Sequence, residues 1–104
     1  MEGLWSVLFS RGAGSYYGVA VFDGNRIFGG DSSFYWTGTY TVQNGQVNAQ
    51  LDAVSHSGGA VLTVLGTAAQ RFWVSLTAPA PTNPAVGTTV RATGTVNALL
   101  TRRA

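Results

Sequence analysis

Residues 17–40, YGVAVFDGNRIFGGDSSFYWTGTY, constrain this chain more than any other segment. Two alternating runs meet at Asp23-Gly24-Asn25. A doubled glycine with Asp31 then leads into the aromatic run Tyr35-Trp36-Thr37-Gly38-Thr39-Tyr40. Asp-Gly supplies the positive φ of a tight hairpin turn. Gly29-Gly30 predicts a sharp bend, where a Cβ would clash. Such a segment fits antiparallel strands and not helices.

The rest of the chain keeps the same period of two. Trp5, Val7 and Phe9 alternate with Leu4, Ser6 and Leu8, and a Gly-rich turn follows at 11–15. Residues 16–22 are apolar on both faces, which suits a strand with little exposure or one covered by a partner. Residues 25–28 predict a short return strand ending at Gly29-Gly30. In 34–42, one face carries Phe34, Trp36, Gly38, Tyr40 and Val42. Asn44-Gly45 is a strong hairpin signal. It precedes a strand with Val47, Ala49, Leu51 and Ala53 inward, against Gln46, Asn48, Gln50 and Asp52. Residues 55–59 read as a loop, 61–65 as a short strand or a buried turn, and 72–77 as a strand burying Phe72, Val74 and Leu76. All the prolines fall in 78–84, which reads as a connection because proline cannot donate to a ladder. Residues 88–94 and 96–102 form the final pair.

About eight strands, spaced roughly 8 to 12 residues apart with hairpin turns, make a sandwich or a barrel. Consecutive hairpins favour pairing in sequence order. The expectation is an all-β, antiparallel, up-and-down eight-stranded β-barrel in one domain spanning residues 1–104. Closure also removes edges that a weakly charged chain has little means to blunt.

That charge is low: 10% of residues against a usual ~25%. Few like charges keep copies apart, so self-association is expected. The six cations are all arginine and oppose four anions. Only Arg102-Arg103 is clustered, which argues against a nucleic-acid partner. The absence of cysteine excludes disulfides, thiolate metal sites and cysteine nucleophiles. Residues 4–9 are too short for a signal-peptide core or a membrane span. The Thr, Gln and Asn expected on the outside do not make a lipid-facing band. The expectation is a cytoplasmic protein that does not enter membranes.

No catalytic, cofactor-binding or metal-binding residues are assigned. His56, the sole histidine, sits beside Ser55 and Ser57, whereas Ser–His pairs are assembled from distant segments. One histidine and four scattered carboxylates make a poor ligand set. Asp23 and Asp31 read as turn formers. Gly24, Gly29 and Gly30 lack the following helix that a phosphate cradle uses.

Two resemblances add to this reading. Gly3-Leu4-Trp5 on the first strand with Arg102 on the last resembles the closure of lipocalin- and avidin-type barrels. There a guanidinium stacks on the indole and plugs one end. Gly18-x-x-x-Phe22-Asp23-Gly24-Asn25, Gly29-Gly30-Asp31 and Tyr35-Trp36-x-Gly38-x-Tyr40 resemble the signature of GrlR-like proteins. That family is named for a bacterial negative regulator of type III secretion. The ending, Gly87 to Gly94 followed by Leu99-Leu100-Thr101-Arg102, is also similar to uncharacterised relatives. The resemblance implies a dimeric lipocalin-like barrel that represses transcription by sequestering an activator protein, through an acidic run between strands four and five. The matching place here, residues 41–46, contains no acid, so the electrostatic attraction for a basic activator does not carry over.

The alternative is a barrel holding a small apolar ligand, with Tyr17, Trp36 and Tyr40 as internal contacts and small residues opening a pocket. For a protein partner, the outward apolar candidates are Tyr16, Phe22, Tyr35 and Leu99.

Overall fold

The computed structural model describes residues 2–11, 14–64, 67–79, 85–91 and 94–104. The strands are β1 (Gly3–Arg11), β2 (Gly14–Asp23), β3 (Arg26–Asp31), β4 (Phe34–Gln43) and β5 (Gln46–Ser55). Then come β6 (Val61–Leu62), β7 (Ala68–Ala69), β8 (Arg71–Pro79), β9 (Ala85–Arg91) and β10 (Gly94–Arg102). Eight of them close an antiparallel barrel in the order β1-β10-β9-β8-β5-β4-β3-β2, and β6 pairs with β7 as a separate two-stranded sheet. This is the up-and-down, lipocalin-like closure expected from the hairpins. The described residues contain no helix, hence none long and apolar enough to cross a membrane.

Consecutive strands run between a lower end, where β1 begins and β10 finishes, and an upper end, where β5 finishes and β8 begins. The β4–β5 hairpin closes on Asn44-Gly45, both in the left-handed region at φ 53° and 73°. That is the geometry whose twist matches the strands it joins. The connection from β5 to β8 contains the small β6–β7 sheet, and 65–66 lie outside the described residues. Residues 80–84, part of the proline-rich stretch, also lie outside them. However, Ala78 and Pro79 belong to β8, with Pro79 opposite Gln46 at its last position. A proline at a strand end sacrifices no interior ladder bond.

The core is aromatic from end to end. Phe22 packs edge-on to Trp5 at the lower end, with ring centroids 6.2 Å apart, and to Tyr40 at 5.1 Å. Phe9 meets Trp36 at 5.1 Å, and Phe34 meets Phe72 at 5.0 Å. Edge-to-face contacts of this kind add about 0.5–1.5 kcal/mol each beyond area burial. Val42, expected inward, is exposed: it sits at the end of β4, beyond the packed layers.

Gly29 and Gly30 lie within β3, which continues to Asp31. Gly29 is paired with Trp36 across β3 and β4. A Cβ on Gly29 would strike the Val19 carbonyl and lie 3.1 Å from the indole; one on Gly18 would strike the indole itself. Two glycines on neighbouring strands thus clear a floor for one large ring.

Trp36→Ala would leave a void over that floor, costing about 3–5 kcal/mol. Chemical denaturation of the two proteins would measure it. A change below about 1 kcal/mol would mean that the indole is not a core element.

Candidate functional site

Inside the barrel, among the described residues, are two small apolar voids of about 30 Å³ and about 40 Å³. Trp36, Phe9 and Leu51 line both. The upper void is also lined by Tyr16, Phe34 and Phe72 and by Leu62 and Val64 of the 56–70 connection. The other lies against Ala20, Phe22 and Ala98. Ligand pockets usually measure about 300–1,000 Å³. Side chains fill this interior.

Of the three expected internal contacts, only Trp36 lines these voids. Tyr40 is buried at the lower end, and its hydroxyl donates to Glu2 Oε1 at 3.4 Å. Tyr17 points outward and is 75% exposed. Tyr16 and Phe22, expected outside, face in: Phe22 is buried and Tyr16 packs against the core. These three corrections share one cause. With both faces of β2 apolar, its alternation did not fix its orientation. The glycine floor does, because Gly18 must lie beneath Trp36, and Tyr16, Ala20 and Phe22 follow it inward. Tyr35 and Leu99 are exposed, as expected.

The lower end carries the expected plug. Arg102 stacks on Trp5 with its Cζ 4.7 Å from the ring centroid, and its Nη1 donates to the Glu2 carbonyl. Gly3 has φ +117°, and a Cβ there would strike the Ala104 carbonyl and lie 2.9 Å from the guanidinium. The glycine of Gly-x-Trp makes room for its own arginine. Glu2, which the sequence reading passed over, joins this cap by accepting the Gly24 N–H at 2.8 Å. Asp23 was expected to form that turn with its own carboxylate. Glu2 satisfies it instead, reaching from the residue before β1, and no local sequence pattern signals that contact.

At the upper end Asp31 does form its turn. Its Oδ1 accepts the Ser33 N–H at 2.8 Å and the Phe34 N–H at 2.7 Å. Gly30 and Gly38 lie within β3 and β4, where a Cβ would press on the backbones of Phe34 and Gln50. His56 is exposed, with Nε2 3.0 Å from the Asp31 carbonyl and its ring 5.7 Å from that of Tyr35. Among the described residues, no three of His, Asp and Glu gather as a metal site would require.

Tyr35 belongs to an aromatic and charged cluster on the outer wall of β4, β5 and β8. The register places Tyr35 beside Val54, and Val54 beside Arg71. Arg71 binds Asp52 bidentately, at 2.8 Å from Nε and 2.6 Å from Nη2, and lies 4.8 Å over the ring of Trp73. The hydrogen bond to Asp52 raises the arginine pKa further. Trp73 is 60% exposed. The sequence held the signal for it, since inward Phe72, Val74 and Leu76 leave Trp73 outside.

No family model and no curated protein matches this chain.

Burial, and next the charge of Glu2, push the Tyr40 phenol above its ordinary value of 10.0. The folded state therefore holds this proton more tightly than the unfolded chain. The stabilisation is complete below pH 10.0 and is lost as pH rises through the folded-state value. Tyr40→Phe should flatten the fall in melting temperature between about pH 9 and about pH 11. An identical alkaline profile would remove Tyr40 from that transition.

Arg102→Ala should destabilise the barrel by about 1–2 kcal/mol through loss of the stack, with Arg102→Lys recovering only part of it. Equal stability of all three proteins in urea would mean that the plug contributes nothing.

Proposed function

We propose that this is a non-enzymatic binding protein of the regulatory, GrlR-like kind, bacterial and cytoplasmic, acting as a homodimer that sequesters another protein. The observation that carries the reading is a cluster of exposed aromatic and arginine side chains on one wall of the barrel. The interior is packed, while Trp73, Tyr35 and Arg71 stand together on the outer wall. Trp, Tyr and Arg are the residues that most often dominate protein interfaces. Arg71 is already oriented by Asp52 and by the indole beneath it, so less side-chain freedom is lost on docking.

The partner is not selected by an acidic loop, because residues 41–46 have no acid. Shape and aromatic contact take that role here. The small-ligand alternative asks for interior space on the order of 300 Å³, against voids of about 30 and 40 Å³ among the described residues.

Immobilised protein, incubated with lysate of its own host, should retain a protein that mass spectrometry identifies. Trp73→Ala and Arg71→Ala should each lower its recovery at least about tenfold. Thr39→Ala, an outward change on β4, should leave it intact. Equal recovery on all the variants would exclude this wall as the binding surface.

A further inference from the structure

Away from the Trp73 wall, the outer sides of β2, β1 and β10 carry three successive rows of side chains. Tyr17, Leu8 and Leu99 form one row. In the next, Ser6 lies between Val19 and Thr101. Leu4 follows, beside Val21, and its carbonyl accepts the Arg103 N–H at 2.8 Å. Side chains stand roughly perpendicular to a sheet, so short Ser6 and Thr101 between longer neighbours leave a dip. It is a solvent-open groove of about 330 Å³, whose lining includes Ser6, Leu8, Tyr17, Leu99, Thr101 and Arg103. We infer that this groove binds a small amphipathic organic anion, an apolar body that ends in a carboxylate.

The charge of the ligand follows from Arg103. Arg26, Arg71 and Arg102 each lie over a ring, and Arg71 also binds Asp52. Among the described residues, Arg103 has neither a ring nor a carboxylate against it. Its Nε donates to Ser6 Oγ, which draws the guanidinium into the groove. The two Nη groups remain, and they form the fork that grips a carboxylate through two parallel hydrogen bonds. Carboxylates that could compete are engaged elsewhere: Glu2 on the Gly24 turn, Asp31 on its own turn and Asp52 on Arg71. Ser6 and Thr101 add hydroxyl donors beside the same spot. The apolar body follows from the other end of the groove. Tyr17, 75% exposed, and Leu99, 38% exposed, flank the half-buried Leu8. One cation at one end of an apolar trough matches an amphipathic monoanion. The volume stands at the small end of the usual range for ligand sites, about 300–1,000 Å³, and far above the interior voids of about 30 and 40 Å³. A membrane surface is a poorer match, because holding one takes several cations at about 1 kcal/mol each.

The test is a titration of the full chain with decanoate, kept below its micelle concentration, followed by calorimetry and by amide chemical shifts. Binding should saturate with a Kd on the order of 10–100 µM. The amides of Ser6, Leu8 and Thr101 should shift, and those of Phe34 and Leu51 inside the barrel should not. Arg103→Gln should weaken binding at least about tenfold, and so should replacing decanoate by 1-decanol, since each removes a charged hydrogen bond. Thr101→Ile, which fills the dip and keeps the cation, should weaken it with an unchanged melting transition. Arg26→Gln removes the same charge outside the groove and should leave binding unchanged. The inference is overturned by a titration that does not saturate, by shifts confined to the interior, or by native affinity in both Arg103→Gln and Thr101→Ile. Flotation with phosphatidylglycerol vesicles without binding of free decanoate would assign the groove to a lipid surface and also overturn it. Partner capture by the Trp73 wall is read separately in the pull-down.

Discussion

The packing of Trp36 onto Gly18 and Gly29 determines more of this molecule than any other contact. A ring this large fits inside an eight-stranded barrel only if the facing backbone gives way. Here two glycines on adjacent strands do so. Once Gly18 faces the indole, the period of two fixes every other residue of β2. Tyr16, Ala20 and Phe22 turn inward, and Tyr17, Val19 and Val21 turn outward. A single steric requirement in the core therefore sets the composition of an outer face.

The filled interior leaves only small voids among the described residues. Lipocalin-like barrels use the same frame to hold ligands when small side chains line the interior. In this chain Phe9, Phe34, Trp36, Phe72 and their neighbours take up that space. The outer surface then divides into two regions of different character. The wall of β4, β5 and β8 combines aromatic rings with an oriented ion pair. The face of β1, β2, β3 and β10 is largely apolar, with Arg26 over Phe28 and Arg103 bonded to Ser6.

The lower end shows how contacts between distant residues can replace local turn chemistry. Arg102, Trp5, Gly3 and Glu2 come from the two ends of the sequence, yet they meet where β1 pairs with β10. Glu2 then reaches the Gly24 turn and the Tyr40 hydroxyl. This cap joins β1, β2, β4 and β10 through hydrogen bonds and ring contacts.

The sequence by itself determined the class of structure. Alternating Val47 to Ala53, the Asn44-Gly45 turn and the run of hairpins call for antiparallel strands with one face buried, and the hairpins favour pairing in order. It also marked Trp5, Trp36 and Arg102, whose size or position leaves few alternatives. Tertiary structure alone decided the orientation of β2, the use of Gly29 to clear space for Trp36 and the part played by Glu2. In each of these the local pattern is degenerate: two apolar faces, a glycine pair fit either to bend or to yield space, a lone carboxylate. Only the neighbour that each one meets across the barrel, distant in sequence, breaks the tie.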